Sequence, residues 1–368
     1  MRKIITILFA FLLAISCVAC NNKNSGTKFI PKPVDGVPLC FDDGMSYYSV
    51  SPAFIQEGNK LYAYYSSNAT AKKRDTSIVL RVATMGENGW EFGDRQVVLS
   101  PTENSWDAGS VSDADITKGE FRYKGMTYAY LMVYQGCKDR SERNQQIGIA
   151  LANAPEGPFV KVEKPIIQYD ERVNGYAWGV GQPSVISEDQ KGKVRLYYSV
   201  GESLYTYTMT AELDLSDCEN VLGSEGAFMM PIAGLVDGVK SETIFNNAGF
   251  ARKGENLVVA RDFNPVAGVE PIVAQAVQVA KMPISGTYSD TSSWEIVEDR
   301  INDIDLAGED IEKYGWSRVY AACIVKDFYG NMVGDKPTLA ITVTSFEEET
   351  REYRYYQGII IYTSDYYA

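Results

Sequence analysis

The sequence has 368 residues, a net charge of −13 and no histidine. This charge, together with the lack of any Lys/Arg-rich run, excludes the electrostatic attraction that supplies most nucleic-acid affinity, so nucleic acid is not an expected partner. The missing histidines exclude Ser-His-Asp and Cys-His nucleophile systems and histidine metal sites, which leaves Asp, Glu, Tyr or Lys for any proton transfer.

The first twenty residues have the pattern of a secretion signal. Two basic residues precede an apolar run over 4–15, which is too short to span a bilayer. Small residues precede Cys17 and Cys20, and the polar stretch "NNKNSG" follows, which resembles a bacterial lipoprotein signal with an acylated cysteine. We expect residues 1–20 to be this signal, residues 21–27 a short linker, and the protein to lie outside the cytoplasm on a lipid anchor, its one contact with a membrane. An ordinary signal peptide with incidental cysteines is the alternative.

The remaining cysteines do not form a metal or disulfide pattern. Cys40, Cys137, Cys218 and Cys323 lie far apart, without a CxxC motif. Neither a zinc site nor a dense disulfide framework is indicated, so the fold must rest on its apolar core.

Residues 28–368 contain a segment that recurs five times. Each copy has a polar residue, small residues, an apolar pair, a charged turn and an apolar strand, while helical periodicity is scarce. The copies start 62, 69, 65 and 73 residues apart, at Ser51, Asp113, Gln182, Asn247 and Tyr320. A third strand follows each hairpin, and several copies add a fourth. The repeat predicts one all-β domain, a five-bladed β-propeller with four-stranded antiparallel blades.

The fifth copy stops after its third strand. The stretch "KFIPKPVDGVPLC", just after the signal, has the aromatic-then-proline pattern of the missing fourth strand. We therefore expect the N-terminal segment to complete the last blade and close the ring. A disordered linker up to about residue 40 is the alternative, which the apolar content of this stretch disfavours.

The repeat also predicts which residues meet. Strand starts nearest the axis converge on one face of a propeller, together with the segments that lead into each blade. The strand starts are the five residues named above, and the lead-ins add Trp106, Trp178, Trp316, Arg318 and Asp43. Aromatic rings beside polar groups suit a carbohydrate, because sugar C–H faces stack on rings while hydroxyls bond to polar groups. Packing between blades is the alternative for these aromatics.

At this point a family resemblance is visible. The openings "SPAFI", "SDADI" and "GQPSVI" of the first three blades resemble those of the arabinanase, levansucrase and invertase-type propeller enzymes, which include glycoside hydrolase families 32, 43, 62, 68, 117 and 130. The resemblance implies the fold, a poly- or oligosaccharide ligand and, in an active member, hydrolysis by two carboxylates. Members of this group have acidic residues at their blade starts. In this sequence only Asp113 matches that pattern, because Ser51, Gln182 and Asn247 stand at other blade starts.

The candidate catalytic residues are therefore Asp113, Glu242 and Asp43. Asp113 would be the base or a transition-state stabiliser, Glu242 the general acid, and Asp43 an alternative base. The sugar contacts would come from Ser51, Trp106, Trp178, Gln182, Asn247, Arg318, Tyr320 and Trp316.

Three further carboxylates have a structural interpretation. Asp262 and Glu202 end second strands on the same face and are alternative sources of a second carboxylate, but they are interpreted as solvated turn carboxylates. Asp115 alternates with Asp113 along its strand and is therefore assigned a capping or turn bond on the opposite side.

Three functions follow from this pattern. The first is an extracytoplasmic glycoside hydrolase, and the second is a catalytically inactive glycan-binding propeller of a polysaccharide-uptake system. A phosphorolytic enzyme would need basic residues around a phosphate, and the amides of Gln182 and Asn247 do not favour it. We expect a monomer without a cofactor, and leave open a structural Ca²⁺ in the channel.

Overall fold

The computed structural model describes residues 39–40, 47–71, 75–87, 89–139, 143–170, 172, 175, 177–202, 206–229, 247–263, 276–301, 318–344 and 357–363. These ranges contain twenty-one strands and a short 3₁₀ turn, Thr291–Ser293. No helix in them is long and apolar enough to cross a bilayer. The predicted signal and linker, with Cys17 and Cys20, lie outside the described residues.

The strands form five antiparallel sheets, which are the predicted blades. The first strand, β1, is Leu39–Cys40. Blade one contains β2 (Val50–Glu57), β3 (Lys60–Ser67), β4 (Ser77–Gly86), β5 (Gly89–Phe92) and β6 (Gln96–Leu99). Blade two contains β7 (Ser110–Tyr123), β8 (Met126–Cys137), β9 (Gln146–Ala152) and β10 (Val160–Lys161). Blade three contains β11 (Gly179–Ser187), β12 (Lys193–Gly201), β13 (Thr206–Asp214) and β14 (Leu222–Met229). Blade four contains β15 (Gly249–Lys253), β16 (Asn256–Phe263), β17 (Ala276–Pro283) and β18 (Glu295–Ile301). Blade five contains β19 (Arg318–Ile324), β20 (Thr338–Thr344) and β21 (Gln357–Thr363).

The N-terminal segment supplies the missing strand of blade five. The sheet order there is β1-β21-β20-β19, with Leu39 opposite Ile360 and Cys40 opposite Ile359. The first described strand therefore pairs with the last, and the prediction that the N-terminus closes the ring is confirmed. Blade one deviates slightly, because β5 and β6 both pair with β4 and together make a broken fourth strand.

The core lies between the blades. Five buried apolar clusters are present, and each joins two neighbouring blades. Between blades three and four, for example, the rings of Tyr197 and Phe250 stack with centroids 4.1 Å apart. Inner strands are consequently covered on both faces, which explains why β3 and β8 read as nearly continuous apolar runs.

A hairpin loop of blade five closes one end of the central channel. The inner strand of each of the four other blades donates one backbone N–H to a carbonyl oxygen of this loop. The pairs are Gln56 N to Lys326 O (2.8 Å), Lys118 N to Phe328 O (2.9 Å), Ser187 N to Tyr329 O (3.1 Å) and Arg252 N to Gly330 O (2.8 Å). Gly330 has φ +89°, and a Cβ there would lie 3.0 Å from Ile186 Cα, so this close approach requires glycine. We call residues 325–333 the floor loop.

Candidate functional site

One residue at the start of each blade adopts a left-handed backbone conformation. The φ angles are 53°, 48°, 52°, 43° and 46° at Ser51, Asp113, Gln182, Asn247 and Ala321. In four of the five blades the strand pairing shifts at this residue, which marks a β-bulge. A left-handed conformation costs a non-glycine residue about 1–2 kcal/mol, so the surrounding structure must hold it in place. We call these five residues the axial ring.

The predicted blade-five member of this set, Tyr320, is wrong by one residue. Ala321 has the left-handed φ and lines the central cavity, whereas Tyr320 is a buried residue beside it. The sequence repeat was identified by its polar first residue, and blade five has an alanine methyl group at that position.

Backbone hydrogen bonds hold the axial ring. Each ring N–H donates to a side-chain oxygen of the preceding blade. The pairs are Ser51–Thr342, Asp113–Ser66, Gln182–Gln135, Asn247–Gln182 and Ala321–Asp262, at N···O distances of 3.1, 2.9, 2.9, 3.1 and 2.6 Å. Blades are thus joined around the axis by contacts to the backbone of each ring residue.

The axial ring surrounds a cavity of about 480 Å³, measured to its open mouth. Inner strands of all five blades line it, down to the floor loop. The ring offers it a hydroxyl, a carboxylate, two amides and a methyl group. Ser51, Asp113, Gln182 and Asn247 are therefore brought together as the sequence predicted. We call this the axial cavity.

Asp115 and Lys326 form a buried ion pair at the bottom of the axial cavity. Lys326 Nζ lies 2.6 Å from Asp115 Oδ2, and both side chains are about 5% exposed. The ammonium also donates to Val185 O (3.0 Å) and Phe250 O (3.1 Å), while Asp115 accepts from Val185 N (2.8 Å). The prediction of a cap or turn bond on the opposite side is wrong for Asp115. Both it and Asp113 line the cavity, and residues two positions apart in a strand lie on the same face, so strand alternation did not support opposite sides.

Asp262 is also not a solvated turn residue. Its carboxylate is 6% exposed and joins two members of the axial ring. Oδ1 accepts from Ala321 N at 2.6 Å, and Oδ2 accepts from Asn247 Nδ2 at 2.7 Å. Glu202 accepts from the Tyr207 hydroxyl at 2.7 Å.

Trp106 and Trp178 pack against glycines of their own blades. The Trp106 ring stacks on Tyr134 at 5.6 Å, and a Cβ on Gly148 would lie 2.5 Å from it. Trp178 covers Gly201 in the same way, with its Cβ 3.1 Å from where a Cβ would stand. Neither ring lines the axial cavity. Their role as sugar platforms stays a prediction for a ligand that extends beyond it.

Cys323 is the thiol that lines the axial cavity. Burial raises the pKa of this thiol to about 12. It is therefore protonated at neutral pH and does not supply a thiolate nucleophile.

Four predicted site residues cannot be placed. Asp43, Glu242 and Trp316 lie outside the described residues, and only the backbone of Arg318, at the start of β19, is described. Their assigned roles stay predictions.

The sequence left a structural Ca²⁺ in the channel open. No group of three or more His, Cys, Asp or Glu in these ranges is arranged to hold a metal ion. At the cavity floor, the oxygens suited to a hard cation are Asp115 Oδ2, Val185 O and Phe250 O, and all three accept from the Lys326 ammonium.

No family model matches the sequence, and none of the curated proteins does. Solved structures do match. The catalytic domain of the GH62 α-L-arabinofuranosidase of Coprinopsis cinerea gives a TM-score of 0.57 at 9% identity, over 92% of this chain and 96% of that one.

Two bacterial structures are similar to the same degree. A family 117 glycoside hydrolase of Zobellia galactanivorans gives a TM-score of 0.56 at 14% identity, over 91% of this chain and 90% of that one. An endo-arabinase of Bacteroides thetaiotaomicron gives 0.52 at 13% identity, over 88% and 97%. At such identities the likeness establishes the fold. The chain therefore shares the five-bladed β-propeller fold of these glycoside hydrolases.

Proposed function

We propose that this chain is an extracytoplasmic glycoside hydrolase that binds part of a poly- or oligosaccharide in the axial cavity. The observation that carries the proposal is the position of Asp113. It is the one acidic member of the axial ring, and it lines the cavity together with Gln182 and Asn247. An open mouth above a closed floor suits a sugar unit surrounded by hydrogen-bonding groups.

Hydrolysis of a glycosidic bond needs two carboxylates on either side of the sugar. Asp113 is proposed as the base or as the group that stabilises positive charge in the transition state. Glu242 is proposed as the general acid, with Asp43 as the alternative base. Gln182 and Asn247 would hold sugar hydroxyls.

Turnover of aryl arabinofuranosides, xylosides and galactosides tests the proposal. Asp113→Asn and Glu242→Gln should each lower kcat by at least about a hundredfold while the protein stays folded. Asp335→Asn is the matched control, because Asp335 is 93% exposed and pairs with Lys253 outside the cavity lining. Full activity in the Asp113→Asn variant would contradict the assignment.

A glycan-binding propeller without turnover is the second candidate. Three members of the axial ring, Ser51, Gln182 and Asn247, can bond to a hydroxyl but cannot replace a carboxylate in proton transfer. Glycan binding that survives both substitutions, with no turnover by the parent protein, would favour this candidate.

The proposed location rests on the N-terminal sequence. If a cysteine there is acylated, expression in a bacterium with radiolabelled palmitate should label the parent protein and put it in the membrane fraction. Comparing Cys17→Ala with Cys20→Ala would identify the modified residue, because only one substitution should abolish labelling. Labelling of neither the parent nor the variants would contradict the lipid anchor.

A further inference from the structure

The amide groups of Gln182 and Asn247 have fixed orientations in the axial cavity. A backbone N–H can only donate, so the Gln182 atom that faces Asn247 N at 3.1 Å must be the carbonyl oxygen Oε1. The amide nitrogen Nε2 of Gln182 is therefore on the other side of the group. No described residue accepts a hydrogen bond from it.

The amide of Asn247 has the opposite orientation, because its nitrogen, and not its oxygen, is bonded to the protein. Its Nδ2 donates to Asp262 Oδ2 at 2.7 Å, and Asp262 Oδ1 already accepts from Ala321 N. A carboxylate only accepts, which assigns the nitrogen of Asn247 to that side and leaves Oδ1 on the other. No described residue donates to this oxygen.

Both residues line the axial cavity and are half-buried. On the wall shared by blades three and four, a donor thus lies beside an acceptor, and neither can rotate without breaking a bond to the backbone or to Asp262. A bound ligand must satisfy both groups, because a polar group buried without a partner costs about 1–3 kcal/mol.

The charge of the cavity adds a second constraint. The Lys326 ammonium is the only cationic group of the described lining, and its donors are directed to Asp115, Val185 O and Phe250 O. Asp113 contributes its carboxyl group to the same lining. A carboxylate on the ligand would bring a further negative charge close to this group.

We propose that Gln182 and Asn247 form a donor–acceptor pair that binds two neighbouring hydroxyl groups of a neutral sugar, and that the Asp113 side of the cavity disfavours the corresponding uronic acid through its charge. One hydroxyl accepts from Gln182 Nε2, and the next donates to Asn247 Oδ1. This inference rests on the proposed function, in either its hydrolytic or its binding form.

The test compares matched sugar pairs by saturation-transfer NMR titration on the mature chain. The probes are methyl glycosides of galactose, glucose and mannose, each beside its uronic acid, which differs only at C6. Methyl arabinofuranoside and methyl xyloside extend the neutral series. At least one neutral glycoside should bind at least about tenfold more tightly than its uronic acid, since repulsion between two nearby negative charges has that effect.

Three variants test whether the donor group of Gln182 contributes to binding. In Gln182→Glu one oxygen still accepts from Asn247 N while the donor becomes an acceptor, so binding of the neutral glycoside should weaken by about tenfold. Gln182→Met removes the donor without adding charge and should weaken binding similarly. Gln56→Glu makes the same change on β2 outside the cavity lining and should leave binding unaltered.

The outcomes distinguish the inference from the proposed function. Neutral binding unchanged in Gln182→Glu and Gln182→Met would overturn the donor–acceptor pair alone, and a uronic acid that binds as tightly as its neutral partner would overturn the charge selection alone. Lack of binding by every member of both series would contradict the proposed function, and the inference with it.

Discussion

Lys326 Nζ lies 2.6 Å from Asp115 Oδ2 and joins the floor loop of blade five to the inner strand of blade two. The two residues are 211 positions apart in the sequence, and both side chains are nearly inaccessible to solvent. Breaking a buried pair leaves a charge without compensation, whereas breaking an exposed pair changes little.

We expect Lys326→Met to lower the free energy of unfolding by about 3–5 kcal/mol, because the Asp115 carboxyl group is then buried without its partner. Lys118→Met is the matched control. Its partner Glu57 is 50% exposed, so the expected loss is about 0–1 kcal/mol. Urea denaturation followed by circular dichroism measures both, and equal losses would contradict the structural role of the buried pair.

Replacing both partners should recover part of that stability. In Lys326→Met combined with Asp115→Leu no isolated charge remains, so we expect the double variant to be more stable than Lys326→Met alone. The same urea titration gives the result. If the loss of stability in the double variant equals the sum of the losses in the two single variants, the two residues are not energetically coupled.

Substitution by glycine should destabilise the protein less at Ala321 than at Ala322. Its φ of 46° is strained for alanine, and glycine removes this strain, which offsets the entropy that glycine loses on folding. Ala322 is the control, because its φ is not positive and Ala322→Gly should cost about 0.5–1 kcal/mol. We expect Ala321→Gly to be more stable than Ala322→Gly by about 1 kcal/mol in thermal unfolding. The reverse order would contradict the left-handed conformation.

Alkaline pH should destabilise the protein partly through Cys323. The folded-state pKa of this thiol is about 12, against about 8.5 in an unfolded chain. Because the folded pKa is raised, its contribution to stability is complete below about pH 8.5 and is lost as the pH rises towards 12. Stability from pH 7 to 11 should therefore fall less steeply in Cys323→Ala than in the parent. If stability falls equally with pH in the parent and in Cys323→Ala, the thiol does not titrate in this way.

Truncation tests the closure of the ring. Deleting residues 21–40 removes β1 and exposes the edge of β21, so the melting temperature should fall by several degrees for a loss of about 1–2 kcal/mol. Deleting residues 21–27, the predicted linker, should leave it unchanged. A fall of the same size in both would place the start of the domain before residue 28.

The repeat in the sequence was sufficient to predict five blades and the closure by the N-terminus, because each hairpin has the same polar, small and apolar order. It was also sufficient to place Ser51, Asp113, Gln182 and Asn247 around one cavity. Tyr320 was misplaced because blade five has no polar residue at Ala321 to mark the register.

Two other features had no local signal in the sequence. Asp115 and Lys326 meet only after five blades have closed, so their pairing has no signature in either segment of the sequence. Trp106 stands in a lead-in, as predicted, but the small glycines of β8 and β9 that receive its ring give no pattern that distinguishes packing from ligand contact.

The hydrogen bonds that hold the axial ring have a consequence for how such a protein diversifies. Each ring residue is held by the preceding blade through its main-chain N–H, and the side chains of Gln182 and Asn247 also take part, because Gln182 accepts from Asn247 N and Asn247 donates to Asp262. A substitution at a position held through its N–H, such as Ser51, therefore changes what the ligand meets and leaves the scaffold as it was. Ligand preference and folding are separable properties at these positions, and new chemistry can be installed one blade at a time.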